Sequence, residues 1–167
     1  MWIELKVSGL AVDPKTNMPV VLLKDSEQKY FLPIWIGIFE ASAIATELEG
    51  IQTHRPMTHD LIRNVLEKLD ATLKAIQIYE VKENTFLANL VVVKSGGEEV
   101  QVDARPSDAI ALALRYKAPI LGKEEVLEST ARSPQGAKTI QPSKRSAEEW
   151  EELLKGLSED AFGKYKM

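Results

Sequence analysis

The chain has 167 residues, 44% of them apolar, no cysteine and a formal net charge of −4. That length can bury one substantial core, and the missing cysteines exclude disulfides, thiolate zinc sites and thiol nucleophiles, so a metal would have to use carboxylates, His54 or His59. The acidic balance excludes a surface that is basic everywhere and leaves only a local patch for nucleic acid.

In chain order, mixed apolar and polar runs predict strands near residues 2–12, 18–24 and 28–36, separated by the turn-forming stretches DPKTN and KDSEQ. A helix over about 39–49 stops at Gly50. The segment THDLIRNVLEKLD places Ile62, Val65, Leu66 and Leu69 at helical spacing behind Thr58, a residue type that caps helices. Strands follow near 73–82, 86–94 and 98–103, with a hairpin at SGGE and with Val100 and Val102 expected to point inward. A second apolar helix runs over about 107–117, with Ser107 as its expected N-cap, until Pro119 prevents continuation.

ASAIATEL (41–48) aligns with SDAIALAL (107–114) at an offset of 66, and VLLK (21–24) parallels VVVK (91–94). The pattern predicts an α+β fold: internally duplicated β-β-β-α units, about 1–50 and 73–117, joined by an amphipathic helix. Ile44 should then be equivalent to Ile110 and Leu48 to Leu114, all four buried. LPIWIG is apolar at nearly every position, so Trp35 reads as a core residue and its strand as covered on both faces.

The second helix is apolar in every direction between Ala109 and Leu114, which places it between layers and confines charge to its ends. There Asp103, Arg105 and Asp108 admit two readings. In one, Asp108 serves the helix dipole and pairs with Arg105. In the other, Asp103 and Asp108 converge on a hard cation while Arg105 holds a phosphate oxygen. HRPMTHDL repeats the Arg-Pro-then-Asp pattern with Arg55, His59 and Asp60 at a helix start. His59 and Asp60 diverge by about 100° around the helix and so suit different partners, solvent being the simplest expectation for both.

YFLPIWIGIFEASAIA, RPMTHDL, VDARPSDAIALALRYKAPI and the terminal FGKYKM strongly resemble the bifunctional nuclease (BFN) domain, a bacterial and plant family. The resemblance spans about residues 1–128 and returns at the C-terminus. It implies a duplicated α+β fold, a homo-oligomer of two or more copies, and nuclease activity on DNA and RNA. Its polar motif positions are Glu40, Arg55, His59, Asp60, Asp103, Arg105, Ser107 and Asp108. From these we expect Asp103, Asp108 and His59 to be catalytic, Arg55, Arg105 and Ser107 to bind substrate, and Asp103, Asp108, Glu40 and Asp60 to hold Mg²⁺ or Mn²⁺. The alternative is a noncatalytic oligomeric binding or regulatory module.

No P-loop, H-E-x-x-H or G-x-S-x-G pattern is present, which removes nucleoside-triphosphatase, zincin and α/β-hydrolase readings. Residues 129–147 carry four basic and no acidic residues among Pro, Gly and Ser, and read as a flexible basic linker after a 1–128 domain. Residues 148–167 then form a C-terminal tail whose Trp150, Leu153, Leu154 and Leu157 make an apolar docking stripe. With no apolar run of membrane-spanning length and no secretory signal pattern in MWIELKV, the expectation is a cytoplasmic protein without membrane contact.

Overall fold

Turn chemistry sets the register of the sheet. Glu83 and Asn84 both take positive φ, at 49° and 60°, the conformation of a two-residue hairpin turn, and they join β4 (Ala71–Lys82) to β5 (Thr85–Lys94). In the next hairpin Gly97 has φ 81° and donates its N–H to the Lys94 carbonyl at 2.8 Å, which aims β6 (Glu99–Ala104) back along β5. The computed structural model describes residues 1–131. Its first half contains β1 (Trp2–Val12), β2 (Pro19–Asp25), β3 (Phe31–Trp35), α1 (Ile38–Leu48) and the connecting α2 (Thr58–Lys68). After β6 come α3 (Pro106–Tyr116), β7 (Ile120–Lys123) and α4 (Glu124–Ala131).

The strands form one mixed seven-stranded sheet in the order β3-β2-β1-β7-β4-β5-β6. β7 is the seam: it pairs antiparallel with β1 and parallel with β4, joining the two hairpin-built halves. Nothing in the short run ILGK signals this strand in the sequence. Its inward position is tight at Gly122, where a Cβ would stand 2.9 Å from Leu5 Cδ1 and 3.2 Å from Leu127 Cδ2, so α4 packs against bare backbone. α4 also crosses the expected domain limit at residue 128 and continues through Ala131. The remainder of the expected linker and the Trp150 docking helix lie outside the described residues.

α3 lies between layers as its composition implies, touching β4 and β5 on one side and α1 and α2 on the other. Ile44 and Ile110 are both fully buried. Truncating Ile110 to Ala should lower stability by about 3 kcal/mol in urea unfolding, through lost burial and a residual cavity. Leu48 departs from expectation: it is 41% exposed at the last turn of α1, and Leu114, expected to be buried with it, is only half-buried.

Both edge strands are less covered than their patterns suggest. Val100 and Val102 sit opposite the core residues Val92 and Leu90 as expected, but β6 ends the sheet, so Val102 is 46% exposed and Val100 half-buried. At the other edge β3 alternates, with Leu32 and Ile34 buried and Phe31 and Trp35 exposed. Trp35 is therefore not a core residue, and its indole N–H donates to Asp13 Oδ2 at 3.0 Å. Helix starts also shift. Arg105, not Ser107, is the N-cap of α3, because Pro106 fits the first helical position where no N–H is needed. Met57, not Thr58, precedes α2. Among the described residues no helix is long and apolar enough to cross a membrane.

Candidate functional site at three helix starts

Residues far apart in sequence meet where α1, α2 and α3 begin. Asp108, in the first turn of α3, accepts from Arg105 Nε at 2.7 Å through Oδ2 and lies 3.0 Å from His59 Nε2 through Oδ1. Arg105 also reaches α1, with Nη1 3.0 Å from Glu40 Oε1. The result is a chain Glu40, Arg105, Asp108, His59 drawn from three helices. Gly37 makes room for it, since a Cβ there would collide with the Glu40 carboxylate.

His59 is buried against α3, not solvated as a helix start would suggest. Its neighbour Asp60 turns elsewhere, as the angle between adjacent helical residues requires. Asp60 Oδ2 accepts the Met57 N–H at 3.0 Å, and Oδ1 accepts from Arg115 Nε at 2.7 Å. Arg115 was hidden in the sequence. Its side chain is 2% exposed, and its Nη1 donates to the carbonyls of Ala43 and Ala111 at 3.1 and 2.8 Å. One guanidinium thus ties α1, α2 and α3 together beneath the polar chain. The available signal was an arginine in the last turn of a helix otherwise apolar on every side.

An open cleft of about 410 Å³ faces this junction. Gly37 and Glu40, Asn84 of the β4–β5 turn, and Asp103, Arg105 and Ser107 are among its lining residues. Asp103 is exposed at the end of β6 and Ser107 is buried in the first turn of α3. His59, Asp60 and Asp108 do not line the cleft. Arg55 is exposed, and its carbonyl accepts from the Thr53 hydroxyl at 2.8 Å.

Burial pushes the Asp108 carboxyl up, but hydrogen bonds from Arg105 and His59 and the Arg105 charge outweigh it, leaving Asp108 below its ordinary 3.8. Asp60 behaves alike: burial raises it, while the Met57 N–H and Arg115 bring it lower overall. Groups depressed in the folded state stabilise it above their unfolded pKa, and that contribution disappears as pH falls through the folded value. Thermal stability should therefore fall as pH drops through and below the ordinary carboxylate value of 3.8, and less steeply in Asp60→Asn and Asp108→Asn, which lack a titrating group at those positions. An unchanged slope in both variants would contradict these assignments.

The four carboxylates expected to hold a divalent cation are not gathered into a metal-binding group, and among the described residues no three His, Asp or Glu side chains are. Both Asp108 oxygens and both Asp60 oxygens have donors, and Glu40 Oε1 pairs with Arg105. The cation between Glu40 and Asp108 is the guanidinium itself. Asp103 alone among the four has neither oxygen engaged among the described residues, and with no second free carboxylate grouped beside it the set does not fit Mg²⁺ or Mn²⁺.

The family model described as "Bifunctional nuclease domain" matches residues 21–135. An uncharacterized protein of Mycobacterium tuberculosis is 38% identical over 164 residues, 95% of this chain and 97% of that protein. Bifunctional nuclease 1 of Oryza sativa subsp. japonica is 25% identical over 133 residues, 78% of this chain and 39% of the rice protein. Bifunctional nuclease 1 of Arabidopsis thaliana is 27% identical over 114 residues, 67% of this chain and 35% of the plant protein.

Proposed function

The chain belongs to the bifunctional nuclease domain family, and from that premise we propose that it hydrolyses phosphodiester bonds of DNA or RNA in the cleft at the β6–α3 junction. The observation that carries this reading is the fixed guanidinium of Arg105. Asp108 holds its Nε and Glu40 its Nη1. A guanidinium has five N–H donors, so three remain for phosphate oxygens. The side chain is 67% exposed, on the wall that Asp103 and Ser107 share. The names of the rice and Arabidopsis relatives support the same class of reaction.

In this reading Asp103 is the general base. Its carboxylate takes a proton from a water in the cleft, and the water oxygen bonds to phosphorus. The bond to the leaving oxygen breaks with its electron pair going to that oxygen, which takes a proton from solvent while Asp103 returns its own to solvent. Arg105 stabilises the charge that develops on the phosphoryl oxygens. Ser107 and Arg55 remain substrate contacts, Ser107 within the cleft and Arg55 on the exposed approach to α2. His59 and Asp108 act through Arg105 as positioning residues. No step is routed through a divalent metal, because Asp60, Asp108 and Glu40 already hold cations or N–H donors and Asp103 stands without a second free carboxylate grouped beside it.

Replacing Arg105 with Gln should lower kcat/KM on single-stranded DNA or RNA by about 10²-fold. Arg105→Lys should recover only part, since an ammonium cannot be held by two carboxylates and still fork onto a phosphate. Equal activity in both variants and wild type would remove Arg105 from the site.

A second reading, a noncatalytic oligomeric module, is favoured by the exposed apolar surface around β3 and α1, where Phe31 is 56% and Phe39 68% exposed. A homo-oligomer is compatible with either reading. We also read the runs β1-β2-β3-α1 and β4-β5-β6-α3 as copies of one unit, supported by their identical element order and by the buried Ile44 and Ile110.

A further inference from the structure

The sheet has a second face, turned away from the helices. Strand register aligns Glu4 on β1, Leu121 on β7, Gln77 on β4, Asn89 on β5 and Asp103 on β6 in one row across that face. With strands about 4.8 Å apart, the row is about 19 Å long. A groove of about 430 Å³ lies along it, lined by Trp2, Gln77, Tyr79, Asn89, Gln101 and Asp103. Two of these are aromatic, three are primary amides, and the single charge is negative.

Asn89 Nδ2 donates to Gln101 Oε1 at 3.3 Å. Asn89 Oδ1 is, among the described residues, the one buried side-chain N or O atom without a hydrogen-bond partner. Such an orphaned acceptor is unfavourable, and because the oxygen is buried it is the rest of the Asn89 side chain that lines the groove. Trp2, at the β1 end of the groove, is 42% exposed although it is a large apolar ring.

We propose that this face is a nucleobase platform for single-stranded DNA or RNA, on which Trp2 and Tyr79 stack bases while Asn89, Gln77 and Gln101 hydrogen-bond their edges. Aromatic rings stack any base, and primary amides offer the paired donor and acceptor that base edges match. Asp103 is the only charged residue lining the groove, with Glu4 and the Glu125-paired Lys123 flanking it on the same face. A phosphate gains no net attraction inside the groove, so bases and not backbone face the sheet. A duplex keeps its bases stacked inside and cannot use such a surface. Asp103 lines both this groove and the Arg105 cleft. A strand laid on the sheet therefore passes over edge strand β6 and presents its backbone to Arg105. The inference deepens the nuclease reading and rests on it for what happens at Arg105, but not for binding.

The test is fluorescence anisotropy of the full chain with a short labelled single-stranded phosphorothioate oligonucleotide, compared with an abasic strand of the same backbone. The intact strand should bind and the abasic strand should bind far more weakly. Tyr79→Ala and Trp2→Ala should each weaken binding about tenfold, and Tyr79→Phe should retain it because the ring remains. Asn89→Ala should erase differences between base sequences. Equal affinity for the abasic strand, unchanged affinity in Tyr79→Ala, or no binding by the wild type would overturn the platform. So would a change in mass by light scattering on Tyr79→Ala, which would mark the face as a contact between copies of the chain. Base-dependent binding without cleavage would leave the platform standing and remove the nuclease reading. Cleavage with an unchanged KM in Tyr79→Ala would do the reverse.

Discussion

Substituting Asp103 with Asn is expected to reduce phosphodiester cleavage by about 10²- to 10⁴-fold, the range typical of losing a general base. The amide keeps the shape of the carboxylate at the end of β6 and cannot accept a proton. Asp103 is exposed at an edge strand, so the fold should hardly notice: thermal midpoint and circular dichroism should match the wild type. That separation is what distinguishes Asp103 from Asp108. Asp108→Asn disturbs a carboxylate already engaged by His59 and Arg105, and should lower activity and stability together. A selective loss at Asp108 with no effect at Asp103 would exchange their roles.

The largest stability effect is expected at Arg115. Arg115→Met should lower the unfolding free energy by about 4 kcal/mol, as when one member of a buried ion pair is removed. Met fills much of the same volume but leaves the Asp60 carboxylate, 20% exposed, without its hydrogen-bonded cation and with only the Arg63 charge acting on it. It also strips a donor from the carbonyls of Ala43 and Ala111. Arg115→Lys should rescue little, because one ammonium cannot reproduce the forked contact to α1 and α2. Urea unfolding of the three proteins checks this, and a loss below about 1 kcal/mol in Arg115→Met would mean the pair is structurally idle.

Much of the fold was legible because strand alternation and turn residues agreed. DPKTN, the SGGE hairpin and the stop at Gly50 bounded β1, β5 and α1 to within a residue or so. β7 was not legible, since ILGK is too short for a period and its partners β1 and β4 lie distant in sequence. Periodicity also cannot tell an edge from a centre. Val102, Trp35 and Leu48 carry inward-looking patterns yet sit at the rim, where nothing covers them.

The candidate site was legible in its residue types and not in its pairings. The Arg105–Asp108 contact is local, three residues along one chain turn, and the spacing anticipates it. The His59–Asp108 and Asp60–Arg115 contacts depend on α2 packing against α3, which no local pattern encodes. The same packing explains why the metal expectation finds no support. Asp60, Asp108 and Glu40, which look free in sequence, are matched to arginines, a histidine and a backbone N–H once the helices assemble, and Asp103 is left apart on the cleft wall.

Cleavage of single-stranded DNA by the wild type and by Asp103→Asn/Arg105→Gln, both purified to the same standard and tested with and without a chelator, examines the proposed site most directly. The site predicts chelator-resistant cleavage by the wild type and none above background by the doubly substituted chain, with both proteins folded. Undiminished cleavage by the doubly substituted protein would contradict it.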